Sequence, residues 1–397
     1  MACATPVKEE KQEESVPTWS GVLTGRGKKL TYFPDTYANY WDYGFSLEEN
    51  ARVGLKITGS FPRARFLNFC MYDEDRSHDD ISSIEDCDIV PDGGKANPFV
   101  TACDDPTKVT YTIYILPDNS TVRADNVMRY PVNTNTKMSV IMRLYCPVDE
   151  KGEYEEQGDV PLPTITAVDP DTLQPAKMPK TIEGQVVHLP PFPEKVFNYT
   201  PSAIFLRAET GRMYPNRPSQ YLYTPGSLKD GEMLIFRFKP ISYPKDVSEY
   251  GKSDVRYWSV CACDGLSYAE VSTLDKDTKI SKDGWTTFIL IDKDDPNYEA
   301  VKEKAAKSDE TNILEWNSKE DGQGFMVFYR FMEINPECQH SPTKVETYYG
   351  DGKGGVVPKA NQIGHVVLGD WGPVGKMIPT ANYLDDAFSM ESIRKLR

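Results

Sequence analysis

The chain has 397 residues, 39% of them hydrophobic and 11% aromatic, with a formal net charge of −15. That length accommodates two domains with separate cores, while the negative balance argues against nucleic acid or an anionic membrane as the main partner. No apolar run approaches the roughly 18 residues a membrane-spanning helix needs, so no membrane insertion is expected.

In chain order, residues 1–31 read as a flexible N-terminal segment, charged and polar around Lys8–Glu14, with no apolar signal-peptide core. Either the protein is cytoplasmic, or a targeting segment lies outside this sequence. Residues 32–166 form a first β repeat. Its strands are predicted at Val53–Thr58, Arg65–Tyr72, Val109–Leu116 and Met138–Tyr145, each bounded by Gly, Pro, Asn or Asp. Met138–Tyr145 is apolar nearly throughout, as in a strand covered on both faces. The acidic stretch Glu74–Asp92 reads as a surface loop unlike its counterpart in the second half. Residues 167–213, with Pro170, Pro175, Pro179, Pro190, Pro191, Pro193 and Pro201, read as a semi-rigid linker.

A second β repeat occupies 214–345, with strands predicted at Met233–Lys239, Val255–Cys263, Thr286–Ile291 and Phe325–Met332. Between them, Asn297–Ser308 places Tyr298, Val301 and Ala305 at helical spacing. Residues 346–397 read as a C-terminal extension with no counterpart in the first half. It closes on an amphipathic stretch, Tyr383–Arg397, with acids first and bases last as a helix dipole favours.

The strongest signal is internal repetition. Arg65-Phe66-Leu67-Asn68-Phe69-Cys70-Met71-Tyr72-Asp73 returns as Arg256-Tyr257-Trp258-Ser259-Val260-Cys261-Ala262-Cys263-Asp264. The flanks return in the same order. Phe33-Pro34-Asp35 answers Tyr214-Pro215-Asn216, Thr112–Leu116 answers Thr287–Ile291, and Val140–Leu144 answers Val327–Phe331. The fold class expected from this is mainly β: two tandem, pseudo-twofold-related β-sandwich-like domains, few short helices and an extended C-terminal tail. Arg65, Cys70, Asp73, Arg143, Arg256, Cys261, Asp264 and Arg330 define the repeat. A residue kept in both halves is explained by the fold both share, so each Arg is expected to pair with a turn acid such as Asp73 or Asp264.

Signals for chemistry are sparse. The four histidines, His78, His188, His340 and His365, lack metal-ligand spacing. Cys261 and Cys263 are two apart on a predicted strand and share a face, which suits a core. The acid clusters Asp73–Asp75, Asp79–Asp80 and Asp292–Asp295 lack the spacing of a calcium loop. No catalytic, cofactor-binding or metal-ligating residue is assigned, and no cofactor is expected. In the extension, Trp371, Tyr383, Leu384, Phe388, Met390, Ile393 and Leu396 carry more apolar surface than a solvated tail would. They are the candidate self-assembly residues.

Each half resembles the uncharacterised β-sandwich family labelled DUF1214, through Asn39-Tyr40-Trp41, Arg65–Asp73, Thr112–Ile115 and Met142–Pro147. The tandem arrangement, acidic character and long tail resemble the PyShell family of algal pyrenoid shell proteins. That resemblance implies a non-enzymatic structural protein that self-assembles into a sheet or shell. It would enclose the Rubisco-containing pyrenoid, in the chloroplast stroma, and aid CO2 fixation. Its partners would be further copies of itself, with the Rubisco matrix or other shell paralogues as candidates, and no nucleic acid. The alternatives are a ligand- or carbohydrate-binding β-sandwich, with Trp41, Trp258 and Trp285 as platforms, and a hydrolase-like enzyme with a cleft between the repeats.

Overall fold

The computed structural model describes residues 19–27, 33–74, 80–132, 136–182, 202–207, 214–349, 357–385 and 387–394. The first half supplies eight main strands: β1 (Ala38–Ser46), β2 (Gly54–Ser60), β3 (Phe66–Asp73), β4 (Asp80–Glu85), β5 (Thr110–Pro117), β6 (Val127–Tyr130), β7 (Lys137–Tyr145) and β8 (Thr164–Val168). The second half supplies eight more: β9 (Ser219–Ser227), β10 (Glu232–Phe238), β11 (Val255–Asp264), β12 (Ala269–Leu274), β13 (Thr286–Asp292), β14 (Thr311–Trp316), β15 (Gly324–Ile334) and β16 (Val374–Pro379). All eight predicted strands are present, and the predicted helix spans Tyr298–Ala306.

The duplication holds strand for strand. In the first half β1-β7-β3-β4 form an inner sheet and β6-β5-β2-β8 an outer one. In the second, β9-β15-β11-β12 and β14-β13-β10-β16 repeat both orders. The details repeat too. β5 and β6 run parallel, as do β13 and β14, and the bulge at Met71/Tyr72 recurs at Ala262/Cys263.

Each half is a sandwich whose core follows from strand alternation. Leu67, Phe69 and Met71 of β3 meet Leu55 and Ile57 of β2 in one core. Trp258, Val260 and Ala262 of β11 meet Leu234 and Phe236 of β10 in the other. The alternate residues of β3 and β11 face the opposite way, and that side is buried as well. Ala38, Tyr40, Phe66 and Tyr145 pack against Tyr257, Leu274 and Met332. The two inner sheets therefore lie back to back.

Five expectations need correction. The segment 1–31 is not flexible throughout: Leu23–Thr24 pairs with β1, and Trp19 is buried in the first core. The stretch 167–213 is not a free linker: Lys180–Ile182 pairs with β1, Ser202–Ile204 with β16 and Leu206–Arg207 with β9. The stretch Glu74–Asp92 is not only surface, because it contains β4 and the fully buried Asp86. It also has a close counterpart, β12 followed by the buried Asp275. The second half does not end near Val345. β16 pairs with β10 as β8 pairs with β2, so the extension supplies the last strand of the outer sheet.

The remaining correction concerns the tail's apolar residues. Met233, Ile235, Ile289, Ile291 and Ile378 make the outward face of the second outer sheet apolar, and Tyr298, Val301, Tyr383 and Ile393 cover it. Leu384, Phe388 and Met390 pack against the same cluster, while Trp371 packs against the sandwich core. Of the candidate assembly residues, Tyr383 and Ile393 are thus buried within the chain, while Trp371, Leu384, Phe388 and Met390 are half-buried; Leu396 lies outside the described residues. The predicted amphipathic helix is also broken, into Thr380–Leu384 and Glu391–Arg394.

Candidate functional site

The repeat-defining side chains converge on the seam between the inner sheets. Asn68, Cys70 and Tyr72 share one face of β3 because they are two apart, and Arg143 of β7 lies directly opposite Asn68. In the second half Ser259, Cys261 and Arg330 hold the equivalent places.

Two short arms reach across. Residues 33–37 leave the first half and dock on the second inner sheet, and residues 214–218 do the converse. Arg330 donates to the carbonyl of Phe33 at 2.6 Å, and Arg143 donates to the carbonyl of Tyr214 at 2.9 Å. The Phe33 ring tilts against Phe328 at 5.0 Å, while Tyr214 meets Tyr72 edge-on at 5.1 Å. Each arm carries a non-glycine residue with positive φ, 54° at Phe33 and 57° at Tyr214. This uncommon backbone state persists where surrounding contacts hold it.

Ion pairs cross the seam as well. Arg65 donates to Asp275 at 2.6 Å, and Arg256 pairs with Asp86. The expected partners, Asp73 and Asp264, have other surroundings. Asp264 accepts from the amides of Leu266 and Tyr268 at 2.9 Å and so shapes the β11–β12 turn. Each seam acid also accepts a backbone N–H of its own half, Asp86 from Leu67 and Asp275 from Trp258. Burial pushes Asp86 up to about 6, with Arg256 pulling it back, and burial raises Asp275 against Arg65 in the same way.

The symmetry fails at two places. On one arm, Asp35 accepts from Ser259 and Tyr257 and lies 3.5 Å from Arg330. Its equivalent on the other arm is Asn216, which accepts from Asn68 at 2.7 Å. Arg143 is thus 4% exposed with no carboxylate partner among the described residues, held by a carbonyl and by the rings of Tyr72 and Tyr40. At the other place, Glu85, Cys87 and Glu333 come together with their ligand atoms all within 4.8 Å of one another. Burial, then the adjacent Glu85 carboxyl, raise Glu333 to about 8. Burial, then Asp86, raise the Cys87 thiol to about 12. Sequence reasoning did not find this group, because Glu333 sits far along the chain from the other two.

Other candidate chemistry disperses into structure. Cys70 and Cys261 are fully buried equivalents, and Cys263 is buried on the same seam-facing side of β11. Trp41 and Trp258 are core residues rather than platforms. Trp285 is 8% exposed and lies under Arg237 and Lys239, at 4.4 Å and 4.9 Å from the ring centre. The ring of His340 stacks on Trp371 at 3.6 Å; His78 and His188 lie outside the described residues. A surface pocket beside β5 and β7, of about 240 Å³ including open solvent, is lined mainly by Pro, Leu, Met and Val. Among the described residues, the seam between the repeats is packed by Ala38, Tyr40, Phe66 and Tyr145 against Tyr257, Leu274 and Met332.

No protein-family model matches the chain, and no curated protein matches it. Among solved structures it is similar to an uncharacterized protein from Burkholderia cenocepacia, with a TM-score of 0.51 and 13% identity over 91% of this chain and 82% of that one. It is also similar to a protein from Vibrio parahaemolyticus, with a TM-score of 0.43 and 11% identity over 87% and 89%. The first of these shows a shared β-rich fold across most of the chain. Among the described residues, no helix is long and apolar enough to cross a membrane.

Proposed function

We propose that the protein is a non-enzymatic structural protein that self-assembles into a sheet or shell. The observation that carries this reading is the unequal treatment of two equivalent faces. The outward face of the second outer sheet is apolar and covered by the chain's own helix and tail. The outward face of the first is polar and, among the described residues, carries no such apolar cover. Its rows are Thr112–Thr58–Thr164 and Tyr114–Lys56–Thr166, from registered neighbours on β5, β2 and β8, all half-buried or exposed. One body thus presents two different outer surfaces along its pseudo-twofold pair. A patch that fits a different patch on the next copy propagates into an open lattice unless it closes into a ring. The occupant of the threonine face in this reading is a second copy of the chain.

Spending the repeated Arg, Cys and Asp residues on seam and turns supports an architectural role over a catalytic one. The resemblance to pyrenoid shell proteins extends the reading to a wall around the Rubisco matrix in a chloroplast stroma, with the cytoplasm as the alternative location. Size-exclusion chromatography with negative-stain microscopy at two salt concentrations tests it. Ordered sheets or large assemblies are expected for the full chain. A Thr164→Lys/Thr166→Lys variant, at two exposed positions of β8, should lose them while keeping its stability within about 0.5 kcal/mol, as exposed substitutions usually do. A full chain that stays monomeric under both conditions would sink the reading.

A further inference from the structure

We propose that Glu85, Cys87 and Glu333 form a divalent-cation site of the zinc class that staples the two halves together. Glu85 ends β4, Cys87 sits two residues on in the following turn, and Glu333 comes from the far end of β15 in the other half. Their three ligand atoms already lie within 4.8 Å of one another. Zinc binds carboxylate oxygen at about 2.0–2.2 Å and thiolate sulfur at about 2.3 Å, so modest side-chain adjustment closes the set around one ion. One thiolate and two carboxylates suit a borderline metal better than calcium or magnesium, which take oxygen ligands. All three residues are half-buried, which leaves a fourth position for water.

The group also stands apart from what the fold requires. Strand register makes Glu85 equivalent to Leu274, so Cys87 is equivalent to Lys276. The positive φ of Glu333, 52°, recurs as 51° at Cys146. The twin corner is therefore Leu274, Lys276 and Cys146, in which a lysine takes the place of Cys87. In the corner of Glu85 and Glu333 the chain offers ligands where its twin offers a cation. The nearby guanidinium of Arg256 is already committed to Asp86.

The test uses the metal-stripped, reduced, full-length protein and Zn²⁺ alone, and its readouts do not depend on whether copies assemble. Calorimetry should show saturable binding of about one equivalent. Cys87→Ser and Glu333→Gln should each weaken it by roughly tenfold or more, while Cys146→Ser in the twin corner leaves it unchanged. On the unsubstituted protein, zinc should slow alkylation of Cys87 by about the same factor, with the exposed Cys103 keeping its rate. Absence of saturable binding, binding indifferent to both ligand variants, or an unchanged Cys87 rate would each overturn the proposal.

Discussion

At the residue scale, the seam is held by charges that have lost their water. Arg256 and Asp86 are both nearly inaccessible, with side chains 8% and 0% exposed, so each depends on the other. Removing one member of a buried pair leaves the other charge uncompensated, at a cost of about 3–5 kcal/mol. Arg256→Ala should therefore lower the unfolding free energy by about that much in a denaturant titration. Asp35→Asn should also destabilise, by about 3 kcal/mol, because it leaves Arg330 without its carboxylate. Asn216→Asp should cost far less, since it offers Arg143 the carboxylate its twin already has. Equal losses for Asp35→Asn and Asn216→Asp would contradict this account of the asymmetry. The arginines were legible as repeated letters, but their partners were not. Asp86 and Asp275 belong to the opposite half, and nothing local in the sequence marks an acid as reaching across.

At the element scale, the chain covers whatever its strands leave apolar. The strands with strong β-branched or aromatic runs were legible, because alternation and burial both act on local sequence. β1 and β9 were harder to see. β1 contains Asp42 and Gly44, and β9 contains Pro225 and Gly226, residues that normally interrupt strands. At Gly226 the ring of Phe325 lies where a Cβ would stand, 2.3 Å away, so the glycine is there for close packing. β16 was read as part of a tail because Gly and Pro surround it. The tail's apolar content was legible and its destination was not. Covering large apolar side chains contributes on the order of 1.5–3 kcal/mol each, and five such residues on β10, β13 and β16 lie under Tyr298, Val301, Tyr383 and Ile393. Deleting residues 380–397 should thus produce a protein that binds a hydrophobic dye and aggregates on mild warming. A truncated chain as stable as the full one would show that this cover is dispensable.

At the scale of the whole molecule, the duplication has the logic of a twofold dimer fused into one chain. In such an interface a contact from one half to the other is returned by its equivalent. Arg65–Asp275 is answered by Arg256–Asp86, and Arg330–Phe33 by Arg143–Tyr214. The sequence displayed the two copies openly, including the Phe33-Pro34-Asp35 and Tyr214-Pro215-Asn216 segments that become the arms. It could not display their exchange, because an arm packed on its own half would repeat in the same way. Exchange makes each inner sheet depend on the other half, so the halves should open together. Native-state hydrogen exchange on the intact chain and on Arg256→Ala measures this most directly. The account predicts that the substitution lowers the protection of β3 and β11 amides by the same factor, although Arg256 belongs only to the second half. Loss confined to β11, with β3 as protected as in the intact chain, would contradict it.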